Sequence, residues 1–201
     1  MRLIANALLI ALIASPSLAA GPANPDPAAV TAGNYAVEPW HTRVQFSVSH
    51  MGFSDWYGDF AGATGTLSLD PKQIGASKLE ISIPVASVTT TNAKLDAELK
   101  SAEWFDADKH PTIRFVATKV ERTASDRANI TGDLTFHGVT KPVVLDARFN
   151  GAGINPLSKA YTIGFNATTT INRSDFGVKT YVPLIGDAVT LRISAAFEKA
   201  K

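Results

Sequence analysis

The chain has 201 residues, of which 45% are hydrophobic and 18% charged, with 19 basic residues against 18 acidic ones. Without Arg2, in the apolar N-terminus, the two charges balance at 18 each, and no Lys/Arg cluster interleaves with aromatic residues, which excludes a basic nucleic-acid-binding surface. The chain has no cysteine, so disulfides and cysteine-ligated zinc are excluded as well.

The first predicted element is an export signal at residues 1–19. Arg2 supplies a positive start, residues 3–13 are apolar apart from one asparagine, and Ser17 and Ala19 are small residues of the kind that signal peptidase recognises. This apolar run is shorter than the ~20 residues that span a bilayer. We therefore expect cleavage after Ala19, a periplasmic mature protein and no stable membrane insertion; a retained membrane anchor is the alternative.

The rest of the chain is predicted to form a short linker and one domain. Residues 20–33 are rich in proline and are predicted to be an extended linker that does not pack. Residues 34–201 are the length of a single domain and can bury a core without disulfides or metals.

Apolar and polar residues alternate along most of this domain, as in strands with one buried face. The alternating segments are 43–49, 78–85, 128–137, 143–149, 161–167 and 189–197. Two further segments are less regular: 58–69 changes phase, which indicates a bulge or bend, and 113–120 carries apolar residues on both faces. With a short strand at 35–37, the count is eight or nine strands, and we expect turns at 70–71, 125–127, 150–151 and 186–187.

One segment, 92–102, breaks the alternation. Leu95 and Leu99 lie four residues apart, and Thr91 or Asn92 can cap the first turn, so a short amphipathic helix is predicted. We expect this helix to cover one end or edge of the sheet, with Trp104 and Phe105 as apolar plugs.

These elements predict an all-β fold, most simply an antiparallel barrel of about eight strands with one short α-helix. The strands contain little of the proline or lysine that protects exposed strand edges. This favours a closed barrel, because a closed barrel has no free edges. Eight strands can enclose one small ligand or can be filled by side chains. The alternation alone leaves both possibilities open.

Six short motifs run through the domain in the order 35–38 (YAVE), 101–106 (SAEWFD), 110–115 (HPTIRF), 130–135 (ITGDLT), 138–143 (GVTKPV) and 172–177 (NRSDFG). Together they resemble the YceI-like family of periplasmic polyisoprenoid-binding proteins. The resemblance implies a lipocalin-like extended barrel whose tunnel takes an isoprenoid or similar amphiphile in the periplasm. It implies no catalytic residues and no cofactor.

The apolar faces of the strands and the helix exit are the predicted ligand-binding surface. Burial of each methylene contributes ~0.8 kcal/mol, whereas association costs roughly 4–15 kcal/mol in lost freedom, so a ligand needs about fifteen buried carbons or more. The candidate lining residues are Phe46, Val48, Phe60, Ile81, Ile83, Trp104, Phe105, Ile113, Phe115, Phe136, Phe149, Ile163, Phe165 and Phe176.

Polar candidates are few. Arg173 and Asp175 follow a strand and could meet a ligand head group, or could form an internal ion pair that holds a loop. The four histidines have no metal-ligand spacing, and no nucleophile or phosphate-binding motif occurs, so we expect neither a metal site nor catalysis. The alternatives to a lipid carrier are a filled barrel that binds a partner, including a possible homodimer, and an enzyme acting on a lipid or quinone.

Overall fold

The computed structural model describes residues 21–200, so the predicted signal at 1–19 lies outside the described residues. Within this range the chain forms ten β-strands, one α-helix and four short 3-10 turns. The strands are β1 (Gly33–Val37), β2 (Arg43–His50), β3 (Ser54–Phe60), β4 (Thr64–Leu69), β5 (Lys78–Pro84), β6 (Thr112–Arg122), β7 (Arg127–Phe136), β8 (Val139–Ile154), β9 (Tyr161–Asn172) and β10 (Ile185–Lys199). The helix is α1 (Ala93–Lys100), and no helix in residues 21–200 has the length and apolarity needed to cross a bilayer.

Eight of the strands close into an antiparallel barrel. They follow the order β1-β4-β5-β6-β7-β8-β9-β10, and β10 pairs back onto β1 with Phe197 opposite Val37. The predicted all-β barrel of about eight strands with one short helix is confirmed.

The other two strands, β2 and β3, form a hairpin along the first half of β10. Leu191 of β10 lies opposite Phe46 of β2, while the end of β10 pairs with β1. The predicted strand at 58–69 is divided between β3 and β4 around Gly62, which has a φ of 67°, and this break accounts for the phase change in the sequence. The outer edge of β3 is bridged by Thr89, whose backbone exchanges hydrogen bonds of 2.8 and 2.9 Å with Asp59.

Three other irregularities lie inside strands. The register of β6 against β7 shifts between Ala117 and Lys119, which turns Val120 toward the interior. The turns predicted at 150–151 and 186–187 are wrong, because these residues lie within β8 and β10 where the register also shifts. Glycine tolerates a strand bulge as well as a turn, so its presence does not distinguish the two.

Helix α1 begins after Asn92, whose side-chain oxygen accepts hydrogen bonds from the N–H groups of Lys94 and Leu95. Leu99 is buried and Leu95 packs against the same core, as the spacing predicts. The chain after the helix buries Trp104 and Phe105 under it, so this segment closes one end of the barrel.

The expectation that residues 20–33 do not pack is wrong for the part that is described. Val30 is only 6% exposed, and Asn24 exchanges backbone hydrogen bonds of 2.8 and 2.9 Å with Ala152 of β8. Two glycines of β8 permit this approach: a Cβ on Gly153 would lie 2.5 Å from the Pro22 carbonyl oxygen. The proline-rich segment is therefore an arm that covers the other end of the barrel.

Candidate functional site

The barrel interior contains two apolar cavities that lie end to end. The helix-end cavity lies beneath α1 and the Trp104–Phe105 segment and has an empty volume of about 1290 Å³. The other is called the hairpin-end cavity because it lies toward the turn of the β6–β7 hairpin, and it has an empty volume of about 1050 Å³. Both volumes include solvent at the mouths. Leu145, Ile193 and Ala195 line both. Because the two cavities share these wall residues, the interior forms one elongated apolar space.

Aromatic rings dominate the helix-end cavity. Its wall includes Phe46, Phe60, Trp104, Phe105, Phe115 and Phe136. Successive rings touch: the centroids of Phe60 and Phe105 are 5.9 Å apart, and those of Phe105 and Phe136 are 5.2 Å apart in an edge-to-face arrangement. The wall is therefore built mainly of packed rings, and among residues 21–200 Arg173 is the only charged residue that lines it.

Two of these rings lie against a glycine on the strand that pairs with their own: Phe115 of β6 against Gly132 of β7, and Phe46 of β2 against Gly58 of β3. A Cβ on Gly132 would lie 2.4 Å from Cζ of Phe115, and a Cβ on Gly58 would lie 2.2 Å from Cζ of Phe46. Any side chain at these positions would displace the ring. Neither glycine was predicted to have a role, although each adjoins a polar residue within a strand, where glycine is otherwise unfavourable.

The hairpin-end cavity is mainly aliphatic and has a polar rim. Phe149 and Phe165 pack edge-to-face within it at 5.6 Å. Arg122, Asp126 and Arg127 line its outer end, beside the N-terminal arm. Its wall also contains Ser77, whose hydroxyl oxygen is buried and is the only such side-chain atom in residues 21–200 without a hydrogen-bond partner.

Twelve of the fourteen predicted lining residues contact one of the two cavities. Phe149 and Phe165 belong to the hairpin end, and the other ten belong to the helix end. Ile163 and Phe176 line neither cavity: they are 0% and 2% exposed and pack into the core behind the walls. Both lie near an end of β9, where the interior is filled by side chains.

The two predicted head-group residues differ in position. Asp175 is exposed and lines neither cavity, whereas Arg173 is buried in the wall of the helix-end cavity. The Arg173 guanidinium donates hydrogen bonds of 2.9–3.1 Å to the carbonyl oxygens of Val178, Thr180, Ile185 and Gly186. It also lies 5.5 Å from the Trp104 ring.

The charge on Arg173 is balanced by Asp187, not by Asp175. Burial lowers the pKa of Arg173, and Asp187 opposes this effect. Hydrogen bonds from the Ser174 hydroxyl and N–H, at 2.7 and 2.8 Å, hold the pKa of Asp187 below its usual value. Arg173 therefore holds in place the loop that begins at Val178 together with the first residues of β10. Few of its N–H donors remain for a ligand.

Comparison with known proteins identifies the family of this barrel. The YceI-like domain matches residues 35–197. The chain belongs to the YceI-like family. A UPF0312 protein of Pseudomonas savastanoi pv. phaseolicola is 40% identical over 169 residues, which cover 83% of this chain and 86% of that protein. The resemblance noted from the sequence motifs is thus confirmed.

Solved structures agree with the YceI-like fold. A Campylobacter jejuni YceI protein superposes with a TM-score of 0.67 at 30% identity and covers 76% of this chain and 90% of its own. A polyisoprenoid-binding domain from Saccharophagus degradans superposes with a TM-score of 0.63 at 12% identity and covers 85% of this chain and 100% of its own. The second likeness shows the fold alone.

Proposed function

We propose that this YceI-like protein binds a long-chain isoprenoid or similar amphiphilic lipid in the barrel and acts in the periplasm as a carrier or store. The observation that carries this proposal is the pair of apolar cavities lying end to end in a closed barrel. A chain of about fifteen carbons buried at ~0.8 kcal/mol per methylene contributes ~12 kcal/mol, enough to offset most estimates of the association cost.

The distribution of polar groups orients the ligand. The Ser77 hydroxyl and the rim residues Arg122 and Arg127 lie at the hairpin end. Among the described residues, the helix-end wall contains no fully buried side-chain oxygen or nitrogen that lacks a hydrogen-bond partner. A buried hydroxyl without a partner loses free energy that a ligand hydrogen bond restores. We therefore place the polar head at the hairpin end and the tail between the aromatic rings. Arg173, a head-group candidate from the sequence, instead supports the wall.

Catalysis is not part of the proposal. The interior walls hold neither a pair of carboxylates nor a nucleophile beside a base within residues 21–200. The relative from Saccharophagus degradans is described as polyisoprenoid-binding, which supports binding as the function. A barrel with a filled core is the competing possibility, and the two apolar cavities that share wall residues argue against it.

The test is solvent extraction of the protein purified from its native host, followed by mass spectrometry of the extract. We expect one molecule of an isoprenoid-type lipid per protein chain. We also expect the mass of the intact protein to match a chain that begins at Ala20. An extract without lipid, from protein isolated without detergent, would contradict the binding proposal. Retention of residues 1–19 would contradict export with cleavage.

A further inference from the structure

Three side chains with metal-binding atoms meet beside the helix-end cavity, outside its wall. Asp106 and His110 lie in the turn that follows α1, and His137 lies in the turn between β7 and β8. Each contributes a ligand atom, and these atoms all lie within 4.8 Å of one another. Asp106 is buried and both histidines are half-buried, so the cluster is shielded from bulk solvent.

The neighbours of His137 determine which of its nitrogens is free. Its Nδ1 lies 3.0 Å from the carbonyl oxygen of Phe176. A carbonyl oxygen accepts and never donates, so Nδ1 carries the proton and Nε2 keeps a lone pair. Histidine ligands of metals are oriented in this way, by a hydrogen bond from the other ring nitrogen to a carbonyl or carboxylate.

His110 is held close to His137 by the local backbone. The two rings meet edge-to-face with their centroids 5.1 Å apart. A Cβ on Gly138 would lie 2.6 Å from Cε1 of His110, so only glycine leaves room for this ring. The N–H of His110 donates a 2.8 Å hydrogen bond to the carbonyl oxygen of Asp106, which fixes the spacing of these two ligands.

The Asp106 carboxylate has one charged partner in the described chain. Lys109 places its ammonium 3.2 Å from Oδ2, on a side chain that is 75% exposed. No hydrogen bond joins this carboxylate to either imidazole in residues 21–200, although the three groups are adjacent. A buried carboxylate facing two imidazoles is a donor set for a divalent cation that favours nitrogen.

We propose that Asp106, His110 and His137 bind one divalent transition-metal ion of the zinc class, with a fourth position open to water. Tetrahedral zinc with ligands at ~2.0–2.1 Å places the ligand atoms about 3.3 Å apart, so atoms that now lie within 4.8 Å of one another draw together on binding. Mg²⁺ and Ca²⁺ prefer all-oxygen sites and are not expected to bind. The ion would tie the segment carrying Trp104 and Phe105 to the β7–β8 turn, and so brace the cover of the helix-end cavity.

Zinc titration tests the site independently of any lipid. The untagged mature protein, stripped with a chelator, is titrated with Zn²⁺ in competition with a chromogenic chelator. The chain offers a matched control because it has four histidines, two inside the cluster and two outside. We compare His110→Asn/His137→Asn with His41→Asn/His50→Asn.

We expect one zinc per chain at a micromolar or tighter Kd, unchanged in the control pair. The cluster pair should weaken binding by more than about 100-fold, because losing even an outer partner of a ligand costs roughly 10- to 100-fold. His137→Asn keeps a donor for the Phe176 carbonyl but removes Nε2, so it should remain folded and still lose zinc. Lys109→Met removes a competing cation and should tighten binding.

Nitrogen-15 NMR of the imidazoles gives a second readout. Zinc should shift Nε2 of His137 and leave His41 and His50 unchanged. The proposal is overturned if the wild type binds no zinc in this range, if both double variants lose it equally, or if the shifts appear at His41 or His50. None of these results would bear on lipid binding.

Discussion

The two ends of the barrel interior use different means to shape a cavity. At the helix end, aromatic rings are pressed against glycines of β3 and β7, and the wall is braced by Arg173 and the Trp104–Phe105 segment. At the hairpin end the wall is mostly aliphatic, closed by the N-terminal arm and bordered by charged residues, with one hydroxyl lacking a partner. This difference supports our proposal that the helix end holds the tail of a lipid and the hairpin end its polar head.

The largest effect should come from blocking the interior. Ile83→Trp at the helix end and Ala167→Phe at the hairpin end each add bulk to a cavity wall. We expect co-purified lipid to fall more than about tenfold, while delipidated protein loses less than the ~1–3 kcal/mol typical of an overpacked core. Delipidated samples are required because bound lipid itself raises apparent stability. Unfolded variants together with a wild type that carries no lipid would show a filled core.

A smaller effect, on stability, should come from the glycines beneath the aromatic rings. Gly132→Ala places a Cβ 2.4 Å from the Phe115 ring and 2.6 Å from the Val116 carbonyl oxygen. We expect a loss of about 1–3 kcal/mol in unfolding free energy, measured by urea denaturation. Gly75→Ala is the control at the other end, because the nearest atom to its Cβ is 3.7 Å away. Equal losses in both variants would contradict a special role for the helix-end glycine.

Ser77→Ala tests head recognition at the hairpin end. Removing the hydroxyl should weaken binding of an isoprenoid alcohol by about fivefold, the equivalent of ~1 kcal/mol for one hydrogen bond. Binding of the corresponding hydrocarbon, which has no head group, should not change. Protein stability should stay the same or rise, because Ser77 has no hydrogen-bond partner in the described chain. Equal weakening of both ligands would place the head group elsewhere.

The smallest effect is on the pH dependence of stability and comes from Tyr35, which packs in the core around the hairpin-end cavity. Its hydroxyl donates a hydrogen bond to the Thr31 carbonyl oxygen. Burial, aided by Tyr161, raises the pKa of Tyr35 to about 12. An unfolded tyrosine releases its proton near pH ~10, so the stability from this group is present below ~10 and is lost as pH rises toward 12.

Tyr35→Phe should therefore be less stable than wild type near neutral pH, and the gap should narrow as pH rises above ~10. Urea denaturation series at matched pH values measure this. A gap that stays constant through that range would show that Tyr35 does not titrate differently in the folded protein.

The sequence by itself determined which faces of the strands are apolar, because a period of two assigns alternate side chains to opposite sides of a sheet. With the lack of protected strand edges, that pattern predicted the barrel, and the residues it placed on the apolar face include most of those that line the two cavities. Helix α1 followed from the break in the pattern and from the four-residue spacing of Leu95 and Leu99. The pattern failed where glycine occurs, since the same residue supports a turn, a bulge or a close approach, as at 150–151 and in the N-terminal arm.

Only the tertiary structure decided which polar groups meet. His110 and His137 are far apart in sequence and adjacent only because the turn after α1 packs on the β7–β8 turn. Arg173 donates hydrogen bonds to four carbonyl oxygens between Val178 and Gly186, while Asp175 is exposed. The Ser77 hydroxyl has no hydrogen-bond partner within residues 21–200. Hydrogen bonds depend on distances and directions between remote segments, which strand register and loop packing set and which local alternation does not contain.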